Sequence, residues 1–479
     1  MADKITDTLQ KFTSGGMSRR DLLARMGQYG IGAAAATTLI NRMQSSALAA
    51  TAYDWQAQKG QSIKLLLNKH PYADAMLHNI DNFKTLTGID VTYDVFPEDV
   101  YFDKVTAALS SKSTSYDLFM TGAYQTWQYG PAGWLVDLNK FIHDPSETSA
   151  DYDWDGILPN LRAATSWSGV PGEALGGPNA KQWALPWAWE LNSIAYNKRI
   201  LDANHMEPPK NLPELIEMAA KISKDVPGVY GIGARGSRSW ATIHAGYLSA
   251  YTNYGAKDFD TSGGKLVPAM NSPEAKKFTK LWIEMLQKGG PKNWTTYTWY
   301  EVANDLGGGT SAMVYDADSA AYFQEKGTKE AGNIDYHAFT ANPDATRPTP
   351  NIWIWSLAMS AFSRKQAAAW KLLQWATSTQ QLTLGATKAN LIDPTRQVVW
   401  DNQDFKTRME GYPGYLTQFA ASSPGAKIYF TPQPLFFNVT TNWAAALQKM
   451  YSNQVSVEDG LDQLASDIKS QLSNAGITD

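Results

Sequence analysis

From Tyr53 onward strand patterns and helix patterns alternate, and that alternation confines the chain to one fold class. Residues 62–67 read as a buried strand. Residues 74–86 carry Met76, Leu77, Ile80 and Phe83 at helical spacing, with Gly88 just past the end. Residues 89–95 alternate apolar and polar side chains, as a strand does. Residues 98–111 return to helical spacing with Phe102, Val105, Ala108 and Leu109, and 116–120 form a third short strand. A β-α-β-α-β series predicts a parallel sheet with right-handed crossovers, hence an α/β fold. At 479 residues the chain exceeds one ordinary core, so two domains or lobes are expected.

The pattern continues downstream. Ser272-Pro273-Glu274 opens a helix with Phe278, Leu281, Trp282, Met285 and Leu286 on its apolar face, and Gly289-Gly290 stops it. Residues 365–377 form another helix. Ser456-x-x-Asp459 is a capping pattern for a last one, with Leu461, Leu464, Ile468 and Leu472 inward. Stretches rich in Pro, Gly and Asn at 168–180 and 340–351 are candidate connections between lobes.

The first 52 residues read as an address. Ser18-Arg19-Arg20-Asp21-Leu22-Leu23 precedes a weakly apolar run at 27–40, then the small-x-small patterns Ala47-Leu48-Ala49 and Ala50-Thr51-Ala52. Together they predict a twin-arginine signal peptide, cleaved near 49–52, and a periplasmic protein. The apolar run is shorter than the ~20 residues of a membrane-spanning helix. The chain has no Cys, which excludes disulfides, thiolate metal sites, Cys nucleophiles and a lipid-modified N-terminal Cys.

Composition excludes further classes. Forty-two basic against 46 acidic residues form no basic patch, so nucleic acid is not an expected partner. His70, His78, His143, His205, His244 and His337 make no HxH or HExxH pattern, so no metal is expected. There is no GxSxG. Gly307-Gly308-Gly309 lacks the spacing of a phosphate loop and reads as a turn before a strand at 312–315. No catalytic residue and no cofactor are expected.

What remains is aromatic: 18 Trp and 23 Tyr. These side chains join a flat apolar face to a polar tip. In parallel sheets ligands sit beyond the carboxyl ends of strands. His70 follows the first strand, Glu98 and Asp99 the second, and Tyr124 and Trp127 the third. Trp187 and Glu190 introduce a strand-like run at 191–196. Arg235, Arg238 and Trp240 follow 229–233, and of these Arg238 and Trp240 are expected to meet the ligand. Asp316 and Asp318 follow 312–315, and Trp353 and Trp355 lie within 352–357. A sugar or polyol needs this mixture, indoles for its C–H faces and acids or Arg for its hydroxyls. Any single Trp is more often core, and any single acid a helix cap, so the expectation rests on the set. A cationic solute such as a polyamine would use the same groups, and carboxylates beside Trp keep a glycosidase as a third reading.

Several segments carry a resemblance. Phe83-Lys84-Thr85-Leu86-Thr87-Gly88-Ile89-Asp90-Val91 is one. Tyr116-Asp117-Leu118 followed by Gly133-Trp134-Leu135-Val136-Asp137-Leu138 is another, as is Trp183-Ala184-Leu185-Pro186 followed by Tyr196-Asn197-Lys198. Residues 209–215, 309–313 and 363–370 complete the series, with Asn211-Leu212 in place of Thr-Trp. Their order resembles the extracellular solute-binding proteins of ABC sugar importers, the family that includes maltose-binding protein, from about Ile63 to the C-terminus. The resemblance implies the two-lobed periplasmic binding protein fold (type II), with hinge strands and a ligand cleft. It implies an N-terminal lobe of 53–188 plus 355–405 and a C-terminal lobe of 189–354 plus 406–479. Crossings are expected near 187–192, near Trp353 and around 400–410. It further implies a monomeric, non-enzymatic receptor that hands its sugar or polyol to ABC permease subunits. Lys69, His70 and Glu190 stand where the family contacts sugar. Asp316 and Asp318 stand near its usual stacking aromatic, so Trp353 and Trp355 would stack instead.

Overall fold

The computed structural model describes residues 53–477, the side chain of Asp99 excepted, and ahead of them only Thr8, Leu22, Arg25 and Met26. The Arg19-Arg20 motif and the cleavage patterns at 47–52 lie outside the described residues.

Eight strands make one mixed sheet: β1 (Ser62–Asn68), β2 (Asp90–Phe96), β3 (Leu118–Gly122), β4 (Leu185–Asn197), β5 (Tyr230–Gly233), β6 (Ser311–Ala317), β7 (Ile334–His337) and β8 (Ile352–Met359). The order is β2-β1-β3-β8-β4-β6-β5, with β7 beside β4. β1 is parallel to β2 and β3, as the alternating pattern requires. β8 is antiparallel to both β3 and β4, so the parallel expectation holds for the first three strands and not across the middle of the sheet.

All thirteen residues of β4 are buried. Residues 185–191 pair with β8. Residues 192–196 pair with β6, and 194–197 with β7 on the other edge. A strand covered on both faces reads as a near-continuous apolar run, and in β4 Glu190, Asn192 and Ser193 interrupt that run at the change of partner.

The helix expected over 74–86 is two, Pro71–Leu77 and Ile80–Thr87. Pro71 starts the first turn early, capped by His70, whose Nδ1 accepts the Tyr72 N–H at 3.2 Å. The break falls at Asn79, whose Nδ2 donates to the Ala75 carbonyl at 3.3 Å and whose backbone leaves helical geometry (φ −110°, ψ 10°). The other expected helices form as Glu98–Ser110, Pro273–Gly289, Gln366–Ala376 and Val457–Asn474. Ser272 and Ser456 cap their helices by accepting the N–H of Ala275 and Asp459. Gly309, at φ 77°, ends helix Trp299–Gly308 just before β6.

Residues 168–180 leave and rejoin one two-stranded ladder, Ser166–Trp167 with Lys181–Gln182, so they form a loop. Residues 340–351 join β7 to β8. Helix Gln403–Met409 carries Arg408, which donates to the carbonyls of Ala386 and Ala389 and, at 2.6 Å, to the Tyr322 hydroxyl.

One side chain ties three distant segments beside the sheet. Asn351 Nδ2 donates to the Tyr124 hydroxyl at 2.9 Å and to the His244 carbonyl at 2.7 Å, and Oδ1 accepts the Tyr429 N–H at 3.0 Å. Leaving a buried polar group unpaired costs about 1–3 kcal/mol. Asn351→Ala is therefore expected to lower the unfolding free energy by about 2–4 kcal/mol, measured by urea unfolding. An unchanged urea midpoint would show that the tie carries no stability.

Candidate ligand-binding site

The ends of β1, β5 and β6 and the middle of β4 and β8 converge on one cavity. Trp353 and Trp355 alternate on β8 and so face the same side, and the register sets Trp353 opposite Glu190 of β4. Trp355 Nε1 donates to Glu190 Oε1 at 3.0 Å. His70 enters from the end of β1, and Glu98 from the start of helix Glu98–Ser110. Arg235, Trp240 and His244 follow β5. Ala317 ends β6, and Ser319, Ala320 and Phe323 come after it. Trp299 opens its own helix. These residues line about 400 Å³, the open mouth included. A second hollow of about 780 Å³ adjoins it through Glu98, Arg235, Trp240 and Trp299 and adds Phe102 and Tyr300.

Aromatic rings form the walls. Trp240 stacks on Trp353 with ring centres 5.5 Å apart, and Trp355 meets Trp353 edge-on at 5.1 Å. Phe102 lies parallel to Trp355 at 6.2 Å and edge-on to Trp240 at 5.6 Å. A Cβ on Gly122 would come within 2.3 Å of the Trp353 ring, so bare backbone at the end of β3 is what lets this indole lie there.

The polar groups are fixed by their partners. Asp316 grips Arg235, Nε to Oδ2 at 2.8 Å and Nη2 to Oδ1 at 2.6 Å. Arg235 Nη1 reaches the Ala241 carbonyl at 3.2 Å and His244 Nε2 at 3.0 Å. A guanidinium only donates, so His244 Nε2 accepts and its proton sits on Nδ1, which has no protein partner. His70 follows the same logic. Its Nδ1 accepts the Tyr72 N–H, which leaves the proton on Nε2, 3.7 Å from Glu190 Oε1. A second proton on Nδ1 would collide with that N–H, and burial lowers the His70 pKa to about 3. Burial raises Glu190 to about 8, outweighing the pull of Arg235. At pH 7 His70 and Glu190 therefore face each other as neutral groups, not as an ion pair.

Of the residues the sequence singled out, His70, Glu98, Glu190, Trp240, Trp353 and Trp355 line the cavity. The structure places the others elsewhere. Lys69 is exposed, its N–H bonded to the Phe96 carbonyl. Tyr124 lies behind Trp353, 5.6 Å from it and stacked on Phe436 at 4.4 Å, and Trp127 packs on both Tyr124 and Phe436. Trp187 falls where the β4–β8 register slips, left unpaired between Pro186 and Ala188, and is buried in the core rather than lining the cavity. Arg238 is exposed, and Arg235, three residues earlier, is the one that reaches the cavity. Asp316 stands behind Arg235. Asp318 accepts the Leu191 N–H at 3.1 Å and a Gln418 N–H at 3.3 Å, and pairs with the carboxyl of Asp393. Burial pushes Asp318 up to about 7 and Asp393 well above the usual carboxylate range. Ser319 and Phe323 were findable from their place just past β6. His244 and Trp299 lie where no periodic pattern marks them.

The raised carboxyls have a signed consequence. Glu190, Asp318 and Glu325, at about 8, 7 and 7, titrate near 4 in the unfolded chain. The folded state thus binds more protons between those values, and stability falls as pH rises. Buried neutral His70 and His244 act in the opposite sense, but only below about pH 6.5, where the unfolded imidazole gains its proton. Across pH 6.5–8 the carboxyls dominate, at up to about 1.4 kcal/mol per pH unit for the fully buried Glu190 and Asp318, and less for Glu325, which solvent partly screens. Thermal unfolding should show Tm falling across that window, with Glu190→Gln flattening the fall. A Tm that rises there would mean these carboxyls are already ionised in the folded protein.

Residues 53–382 match the profile of the family described as bacterial extracellular solute-binding protein. An erythritol/L-threitol-binding protein of Mycolicibacterium smegmatis is 38% identical over 472 residues, covering 96% of this chain and 97% of that one. A mannitol-binding protein of Pseudomonas aeruginosa is 26% identical over 287 residues, 59% of this chain and 61% of that one. A solved ABC transporter solute-binding protein from Agrobacterium vitis, with bound D-mannitol, superposes with a TM-score of 0.72 at 24% identity, over 87% of this chain and 99% of its own. One from Agrobacterium radiobacter, in complex with ribitol, has a TM-score of 0.72 at 20% identity, over 86% and 99%. The architecture shared with them is the two-lobed α/β fold of periplasmic binding proteins. The chain belongs to the bacterial extracellular solute-binding protein family, whose members are the binding components of ABC transporters and not enzymes.

Proposed function

We propose that this protein captures a short uncharged polyol, a four-carbon tetritol first among them, and delivers it to the permease of an ABC importer. The observation that carries this reading is the make-up of the cavity wall. Trp240, Trp353 and Trp355 offer faces to C–H surfaces. His70 Nε2, His244 Nδ1 and Trp353 Nε1 are donors, the last two without a protein partner, and the carboxyls of Glu98 and Glu190 accept. A polyol uses both kinds of contact and brings no charge to be matched. The relative that spans 96% of this chain supports a four-carbon ligand, and the mannitol and ribitol proteins support the class. A polyamine suits the wall less, because its ammonium groups need ionised acceptors and burial keeps the Glu190 carboxyl protonated at pH 7.

In this reading the chain divides into lobes of 53–188 plus 355–405 and 189–354 plus 406–479, and β4 and β8 are hinge strands. The change of partner between Leu191 and Asn192 supports a crossing there. The ligand contacts are His70, Glu98, Glu190, Arg235, Trp240, Trp353 and Trp355. The receptor works as a monomer in the periplasm, with no nucleic-acid partner, after twin-arginine export and cleavage near 49–52.

Erythritol or L-threitol at about 100 Kd is expected to add about 2.7 kcal/mol of stability in a thermal-shift measurement. Trp240→Ala removes one stacking face and should weaken tetritol binding about tenfold by calorimetry. If no polyol or sugar raises Tm while another solute class does, the reading is wrong.

A further inference from the structure

Arg235 is the lone Arg or Lys among the residues described as lining the cavity. At first sight it invites an anionic ligand. Its hydrogen bonds say otherwise. A guanidinium has five N–H groups. Asp316 takes the Nε–H at 2.8 Å and one Nη2–H at 2.6 Å. The Ala241 carbonyl and His244 Nε2 take the two on Nη1, at 3.2 and 3.0 Å. One Nη2–H is left.

Arginine captures a carboxylate through two parallel N–H groups presented as a fork. Here the fork already holds a carboxylate, and both partners are buried. The remaining N–H can meet one hydroxyl oxygen but cannot grip an anion from both sides. Its charge is also matched at contact distance, so an incoming anion finds little unspent positive potential. Glu98 brings another carboxyl to the same wall. Removing an anion from water without a matching partner is strongly unfavourable.

We infer that the Asp316–Arg235 fork sets the charge specificity of the site, admitting an uncharged polyol and rejecting the aldonate formed when one terminal CH₂OH is oxidised to carboxylate. The inference rests on the polyol reading above. Arg235 is then a hydroxyl donor held in place, and Asp316 is the specificity determinant that never touches the ligand.

The test compares two ligands of equal carbon count. Whole protein is titrated calorimetrically at pH 7.5 with erythritol and with erythronate. The acid is expected to bind about a hundredfold more weakly, or not measurably. Asp316→Asn frees the fork and should tighten erythronate about tenfold relative to erythritol. Glu98→Gln, at a partly exposed helix start, leaves the fork intact and should narrow the gap by a smaller factor. The wild-type comparison and Glu98→Gln decide the matter even if Asp316→Asn does not fold. Erythronate binding within about tenfold of erythritol in the wild type overturns the charge filter and leaves the polyol reading standing. Erythronate binding without any polyol binding overturns both. An unchanged ratio in a folded Asp316→Asn protein removes the filter from this fork.

Discussion

A buried strand must satisfy its backbone on both edges along its whole length, and β4 does so by exchanging partners in the middle. The exchange leaves one awkward donor. The Leu191 N–H, at the point where β4 leaves β8 for β6, is met at 3.1 Å by Asp318, an acid buried from the next segment. Asp318 also accepts the Ser319 and Gln418 N–H groups and pairs with Asp393, so this carboxyl is satisfied inside the core from several sides. The exchange also sets what surrounds it. Glu190 stands one residue before the exchange, across from Trp353, so the same irregularity that needs Asp318 puts an acid against an indole wall.

The cavity that results is polar but nearly without free charge. Isolated ions are costly to bury, and a protein avoids that cost by pairing or by changing protonation. Both routes operate within a few ångströms here. Arg235 and Asp316 are paired. His70 carries no second proton because its Nδ1 accepts the Tyr72 N–H, and Glu190 keeps its own. What a solute meets is a set of oriented donors and acceptors between rings, a surface suited to hydroxyl groups. The rings are themselves held by backbone, as Gly122 beneath Trp353 illustrates.

Much of the fold was legible because its signals are local. The alternation over 62–120 carries β1, β2, β3 and their helices, and Ser272 and Ser456 announce their helices by capping. The break at Asn79 was not, because a side-chain bond to Ala75 competes with a helix whose apolar spacing continues unbroken. The site was legible in part. Trp353 and Trp355 are two residues apart on a strand, so their shared face follows from geometry. The slip in the β4–β8 register at Trp187 does not, and there Trp187 and Glu190 part company. Arg235 and Arg238 were equivalent as sequence, and only the path of the loop after β5 separates the buried one from the exposed one. Tyr124 and Trp127 follow β3 as a ligand residue would, yet pack against Phe436, a partner some three hundred residues away.

The close packing of Trp240, Trp353 and Trp355 has an optical side. Indole emission depends on the polarity around the ring, and these three are brought together by two stretches of chain more than a hundred residues apart. Phe102, from a third stretch, shields Trp240 and Trp355 at the mouth. Any motion that draws Phe102 away from Trp240 lets water onto that indole and shifts its fluorescence to the red. The molecule thus carries an intrinsic probe of its own opening, and rapid-mixing spectroscopy can follow that motion without a label.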